Sequence, residues 1–288
     1  MRKRVWMSAL AISAGVCGAA NADVTGKVTL DGKAPKPKEI KMTAVADCAK
    51  QHADPVMDET WVVGANNELK NVIVFVQKTP GTDLAGPAPS APVVLDQKGC
   101  MYTPHVLPMM VGQKFEVRNS DTFLHNIHGL GKENGEFNFP QQNKGDVKDM
   151  TGNANKAPER YKIKCDVHPW MSAWVMVLEH PYFATTGDDG TYTIKGLKDG
   201  EYTLVAWHER GGNTEQKITV KDGKATADFK VKMKSGAAAA PADEKVKEVV
   251  VSAPAADAKC DACCESEKKT AVTTDAKKVE PQAQAAAK

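Results

Sequence analysis

Between Asp23 and Val231 the apolar residues come in short runs. VTGKVTL, NVIVFVQ, APVVLDQ, KFEVRN, RYKIKC, AWVMVLE, GTYTIKG, EYTLVAW, QKITV and ADFKV are four to eight residues long, β-branched or aromatic, and bounded by Gly, Pro, Asn or Asp. Runs of this length and punctuation fold as strands. No window sustains a helical period, so the chain is expected to be all-β, with sheets packed as sandwiches. TPGTDLAGPAPSAP (79–92) reads as a Pro/Gly/Ala loop.

The two ends read differently. Arg2, Lys3 and Arg4 precede a short apolar run from Val5 to Ala20, and Ala20-Asn21-Ala22 has the small-x-small form of a cleavage site. The run is too short to span a bilayer comfortably. Residues 1–22 are therefore expected to be a cleaved signal peptide, with the mature chain starting at Asp23 in the periplasm or outside the cell. Cys17 is not expected to carry lipid, because branched Val16 precedes it. Residues 235–288 are rich in Ala, Pro, Lys, Glu and Asp without an aromatic residue, the composition of a disordered tail. No other stretch suggests a membrane span.

The chain's net charge of +2 becomes −1 once the three leader cations are removed. No basic stripe supports nucleic-acid binding. Six of the seven cysteines remain in the mature chain: Cys48, Cys100, Cys165, and the tail trio Cys260, Cys263 and Cys264. In an oxidising compartment the simplest arithmetic pairs Cys48 with Cys100 and leaves Cys165 for other work. The alternative is that one of the pair is a small buried hydrophobe. The tail cluster is a weak metal signal on its own.

Cys165 stands in KCDVHPWMSAW, where a thiol, an imidazole and a thioether fall at Cys165, His168 and Met171. A thiolate, imidazoles and a weak thioether form the ligand set of a blue-copper electron-transfer site. A thioether is a poor ligand for structural zinc. The second imidazole is sought upstream in VGQKFEVRNSDTFLHNIHG, where a strand ends in a polar turn and delivers His125. His128, three residues on in extended chain, points to the opposite face. His105 is read as structural, and His52, His180 and His208 as surface residues.

GQKFEVRNSDTFLHNIH followed by CDVHPWM resembles the cupredoxin family, and C-x-x-H-x-x-M with Pro after the His resembles the short amicyanin-type loop. The likeness covers roughly Val93 to Glu179. It implies a Greek-key barrel or sandwich of eight strands at 93–180. It also implies one type 1 copper ion held by His125, Cys165 and His168, with Met171 as a long axial ligand. His168 is implied to approach the surface through an apolar patch formed by Pro169, Trp170, Met109 and Met110. Where the family commonly has a small hydroxyl residue and a Pro, this chain has Asp166 and Val167, and the Val167 amide becomes a candidate donor to the Cys165 sulfur.

GDDGTYTIKGLKDGEYTLVAWHE (187–209) resembles the second half of a carboxypeptidase regulatory-like, transthyretin-type sandwich, and VTGKVTLDGKAPKP resembles its first half. Segments 23–78 and 187–232 would then complete one Ig-like or transthyretin-like sandwich around the inserted 93–180 domain; three consecutive β units are the alternative. No catalytic motif is present. The expected function is an exported, non-enzymatic carrier of single electrons that docks a redox protein such as a cytochrome or dehydrogenase. The alternatives are a copper-delivery protein and a non-redox interaction protein.

Overall fold

The computed structural model describes residues 23–233. The expectations for the leader, for Cys17 and for the tail with Cys260, Cys263 and Cys264 lie outside the described residues. Within them the protein is all-β, with one helical turn, α1 (Ala46–Ala49).

Four sheets carry the strands, numbered along the chain. The first has the order β13 (Thr191–Lys195), β1 (Asp23–Asp31), β16 (Lys224–Thr226), with β17 (Phe229–Lys232) paired to the later half of β1. The second runs β12 (Phe183–Thr185), β2 (Ile73–Val76), β14 (Gly200–His208), β15 (Gly212–Val220). The third runs β5 (Val106–Met110), β11 (Ser172–Leu178), β10 (Glu159–Lys164), β7 (His125–Leu130), β8 (Glu136–Gln141). The fourth runs β4 (Met101–Thr103), β3 (Val93–Lys98), β6 (Phe115–Asn119), β9 (Val147–Asp149). The chain from β3 to β11 thus builds two open sheets, the sandwich form of the expected barrel or sandwich, with nine strands where eight were expected.

Three apolar cores separate the four sheets. Val24, Val28, Val74, Val76, Leu204 and Ala206 lie between the first and second sheets. Leu95, Phe115, Val117, Ile163, Val175 and Val177 lie between the third and fourth. Ile73, Phe75, Val205, Trp207, Trp174, Met176 and Leu178 fill the layer between the second and third. Alternate residues of one strand serve different cores because side chains alternate across a sheet. In β11, Ala173, Val175 and Val177 face one core and Trp174, Met176 and Leu178 the other. This double burial is why IVFV and WVMVL read as unbroken apolar runs. Met109 is buried in the core between the third and fourth sheets, so it cannot belong to the surface patch expected around His168.

Pro108 and Pro140 lie in β5 and β8, the two edges of the third sheet. Proline lacks the N–H that a central strand must donate, so edges are where it is tolerated.

Residues 32–69, between β1 and β2, form a strap. Ile40 N–H donates to Val56 O and Asp58 N–H to Lys38 O, giving a loose hairpin with α1 at its tip. Cys48 of α1 is disulfide-bonded to Cys100, which follows β3. His52 adds a ring-nitrogen contact to Gly99 O at 2.7 Å. The β3–β4 turn has positive φ at both Gly99 (63°) and Cys100 (53°), the backbone twist of a two-residue hairpin turn.

A polar cluster lies beside the middle core. His105 Nε2 meets Glu209 Oε1 at 2.5 Å, and Trp174 Nε1 donates to Glu209 Oε2 at 3.0 Å. Glu59 approaches His105 Nδ1 at 4.0 Å. His208 and His180 are buried, contrary to the surface placement expected of them. The His208 ring stacks on Trp61, and its Nδ1 accepts the Arg210 and Gly211 amides.

Burial alone would depress His105, but the Glu209 and Glu59 carboxylates hold its pKa above the ordinary value. Burial pushes Glu209 up, yet His105 and Trp174 hold it below the ordinary value. The raised His105 contributes stability below its unfolded pKa of about 6.5 and loses it as pH rises through the folded value. The lowered Glu209 contributes above about pH 4.3 and loses it as pH falls through its folded value. Glu209→Gln should therefore destabilise the protein by about 3 kcal/mol near pH 5.5, and by less toward pH 9 as His105 gives up its proton. Urea melts at both pH values measure the difference.

Candidate metal centre

His125 begins β7, and Cys165 follows the last residue of β10. β10 pairs with β7 at Ile163↔Gly129 and Lys164↔His128. Cys165 therefore leaves β10 heading along β7 toward its start. The loop from Cys165 to Met171 closes on itself, with Cys165 N–H donating to Met171 O at 3.2 Å and Met171 N–H to His168 O at 3.0 Å.

The result is a buried cluster. His125 Nδ1 lies 3.0 Å from His168 Nδ1, and Cys165 Sγ lies 3.8 Å from the same His168 nitrogen. His125, Cys165 and His168 are 0%, 2% and 3% exposed. Met171 is fully buried in the core that also contains Cys165. His128 faces away, contacting Asp166 at 2.9 Å and Glu136 at 2.7 Å.

The turn before His125 is built by the side chains of NSD. Asn119 Nδ2 donates to Phe123 O and Gln141 O, and its Oδ1 accepts the Asp121 N–H. The Asp121 carboxylate then accepts from the Gly99 and Cys100 amides and from His125 Nε2, each at 2.8 Å. Burial pushes Asp121's pKa up, but these donors outweigh it and leave the group below the ordinary carboxylate value. When His125 is neutral and its Nε2–H donates to the Asp121 carboxylate, its Nδ1 presents a lone pair. Burial opposes a charge on His125, while Asp121 and Cys165 raise its pKa above the ordinary value.

Burial would raise the Cys165 thiol, but His125, His168 and the Asn126 and His168 amides bring its pKa down to about 6. His168 N–H donates to Cys165 Sγ at 3.4 Å. The N–H that reaches the sulfur is that of His168, with the Asn126 amide also acting to lower the thiol's pKa, and not the Val167 amide that the sequence made a candidate. Asp166 is engaged by Lys164, His128 and Asn138.

The donor set suits a soft cation. Two imidazole nitrogens bound at ~2.0–2.1 Å in tetrahedral or trigonal geometry stand about 3.3–3.6 Å apart, and a thiolate about 3.6–3.8 Å from either. The 3.0 and 3.8 Å separations are close to those values. One imidazole lone pair, a second imidazole and an acidified thiol converge on the same buried point.

The spacing of Cys165, His168 and Met171 is visible in sequence. The contribution of Asp121 is not; its only signal is a carboxylate four residues before His125 in a turn. Asn126 stands next to His125 in the sequence, but its role is not visible there. Its Oδ1 accepts the Asp166 N–H, and its Nδ2 donates to Asn138 Oδ1 at 2.7 Å. It ties the ligand loop to β7.

A sequence model described as polysaccharide lyase family 4, domain II, matches residues 166–228, well under half of the 288-residue chain. No curated protein matches. Among solved structures, a copper-containing nitrite reductase from Thermus scotoductus is 24% identical over 36% of this chain and 25% of its own, with a TM-score of 0.28. The chain thus spans only a quarter of that enzyme's length. A purple cupredoxin from Nitrosopumilus maritimus is 26% identical over 31% of this chain and 99% of its own, with a TM-score of 0.26. A Cu(I) form of an amicyanin point mutant is 22% identical over 30% of this chain and 82% of its own, with a TM-score of 0.27. At these scores the likenesses carry no argument, and the site is judged on its own geometry.

Asn126→Ala removes the tie between loop and strand and leaves the Asp166 amide without its partner. The metal-free protein should lose about 1–3 kcal/mol in a denaturant melt.

Proposed function

We propose that the protein is an exported carrier of single electrons holding one copper ion at His125, Cys165 and His168, with Met171 as a weak fourth ligand. The observation that supports this most is the buried convergence of His125 Nδ1, His168 Nδ1 and Cys165 Sγ from two separate chain segments. A copper ion bound there supplies a one-electron couple and a sulfur-to-metal charge-transfer colour.

The chain's own part is to hold the donors still. Asp121 fixes the His125 ring, the Asn126 and His168 amides fix the sulfur, and the Cys165–Met171 main-chain bond closes the loop. Each of the three donor residues is almost wholly shielded from solvent. That favours a closed redox centre over an enzyme that must admit substrate. Leu124 (41% exposed) and Val167 (46%), one beside His125 and one beside His168, offer apolar surface to a redox partner such as a cytochrome or dehydrogenase. Among the described residues no helix is long and apolar enough to cross a membrane. The export part of the proposal rests on the basic and apolar leader.

Copper loading should give an intense visible band that Cys165→Ala abolishes. A tightly bound ion without the band, or labile colourless Cu(I), refutes the carrier reading, the latter in favour of copper delivery. Asp121→Asn should keep the band but lower copper affinity roughly 10–100-fold in a chelator competition, because an outer partner of a ligand histidine is lost.

A further inference from the structure

The Cys48–Cys100 disulfide lies against the same two imidazoles. One nitrogen of His168 is within 4.8 Å of both sulfurs, and the Cys100 sulfur is within 4.8 Å of a His125 nitrogen and an Asp121 oxygen. Both cysteines are fully buried.

Neither residue depends on the S–S bond alone for its place. Cys100 N–H donates to Asp121 Oδ2 at 2.8 Å, and Cys100 O accepts Trp170 Nε1 from the ligand loop at 3.0 Å. Cys100 also holds a left-handed backbone, φ 53°, which is uncommon for a side chain of this kind and belongs to positions fixed by their surroundings. Cys48 packs in the core with Met42, and the strap around it is anchored again by His52 on Gly99.

We propose that reduction of the Cys48–Cys100 bond creates a second soft-metal site, in which the two thiolates and His168 bind Cu(I). A dithiol reductant supplies two electrons and two protons; the S–S bond breaks, two thiols form, and the reductant closes to its own disulfide. Cu(I) then takes both sulfurs as thiolates, and two protons leave to solvent. Thiolates and imidazole match the softness of Cu(I). The site borrows His168 from the centre proposed above, so filling one weakens the other, and the thiol state decides which holds the ion. It shares that ligand with the carrier reading but does not require electron transfer.

The test uses the full chain with Cys17, Cys165, Cys260, Cys263 and Cys264 replaced by Ser, which removes the first centre's thiolate and every other thiol outside the pair. Cu(I) is titrated against a chromophoric chelator before and after treatment with a dithiol, itself removed by gel filtration under nitrogen. Reduction should raise Cu(I) affinity at least tenfold at one ion per chain, and adding Cys48→Ser should abolish the gain. In reduced wild-type protein, Cu(I) should slow alkylation of both Cys48 and Cys100, read by peptide mass spectrometry. Equal affinity in the two states overturns the proposal. So does alkylation at the same rate with and without Cu(I). The visible band of oxidised wild-type protein is independent. A band without the gain refutes this site alone; a gain without the band refutes only the carrier reading.

Discussion

β10 pairs with β11 over Glu159 to Lys164 and with β7 at Ile163↔Gly129 and Lys164↔His128. That register places the chain after Lys164 beside Ile127, Asn126 and His125 in turn. Because side chains alternate along a strand, a slip of one residue would turn Cys165 to the other face of the sheet. It would also separate the Asp166 amide from Asn126 and the Asn126 amide from the sulfur. The pairing Lys164↔Ser172 on the other side leaves only Cys165 to Met171 to turn the corner. Thiol, imidazole and thioether therefore share one short loop held at both ends by sheet.

The sheet that carries this register is clamped from both sides. β11, which receives the loop, buries Ala173, Val175 and Val177 toward the fourth sheet and Trp174, Met176 and Leu178 toward the second. β2 and β14 do the same from their side, with Ile73, Phe75, Val205 and Trp207 in the shared layer. Each large apolar side chain in such a layer contributes about 1.5–3 kcal/mol relative to exposure. Moving the ligand loop would mean displacing a strand packed on two faces, so the packing resists displacement of the donor atoms.

Much of this was legible because burial on one or both faces writes a plain apolar pattern. Each of the ten runs identified in the sequence overlaps a strand. The other seven were hidden for physical reasons. β5 and β8 contain proline, which their edge positions tolerate. β7, with the sequence HNIHGL, is polar because its side chains serve the site, and β4, β9, β12 and β16 are only three residues long. The ligand spacing in the loop was readable locally. Asp121, Asn126 and the sulfur donors were not, since their roles exist only once turn, hairpin and loop meet. His180 and His208 look like surface residues until β14 and the segment after β11 are seen to be covered. A Greek-key pattern is equally compatible with a closed barrel and with the two open sheets that form.

The sulfur's environment shows why residue 167 is a weaker determinant than the sequence suggests. Proline and valine differ at the backbone N–H, but the N–H that reaches Cys165 Sγ belongs to His168. The second amide comes from Asn126, across the sheet on β7. Asp166, an anion adjacent to the thiol, has its charge answered by the Lys164 ammonium at 2.7 Å and shared with the His128 ring. Neither departure from the commoner loop thus acts on the sulfur directly. What does act is burial against two main-chain amides, and both are positioned by strand register and loop closure. A side-chain change at Val167 touches none of these bonds, whereas a change at Asn126, Asp121 or Asp166, whose carboxylate accepts from Asn126, Asn138 and His128, loosens the frame that aims the amides.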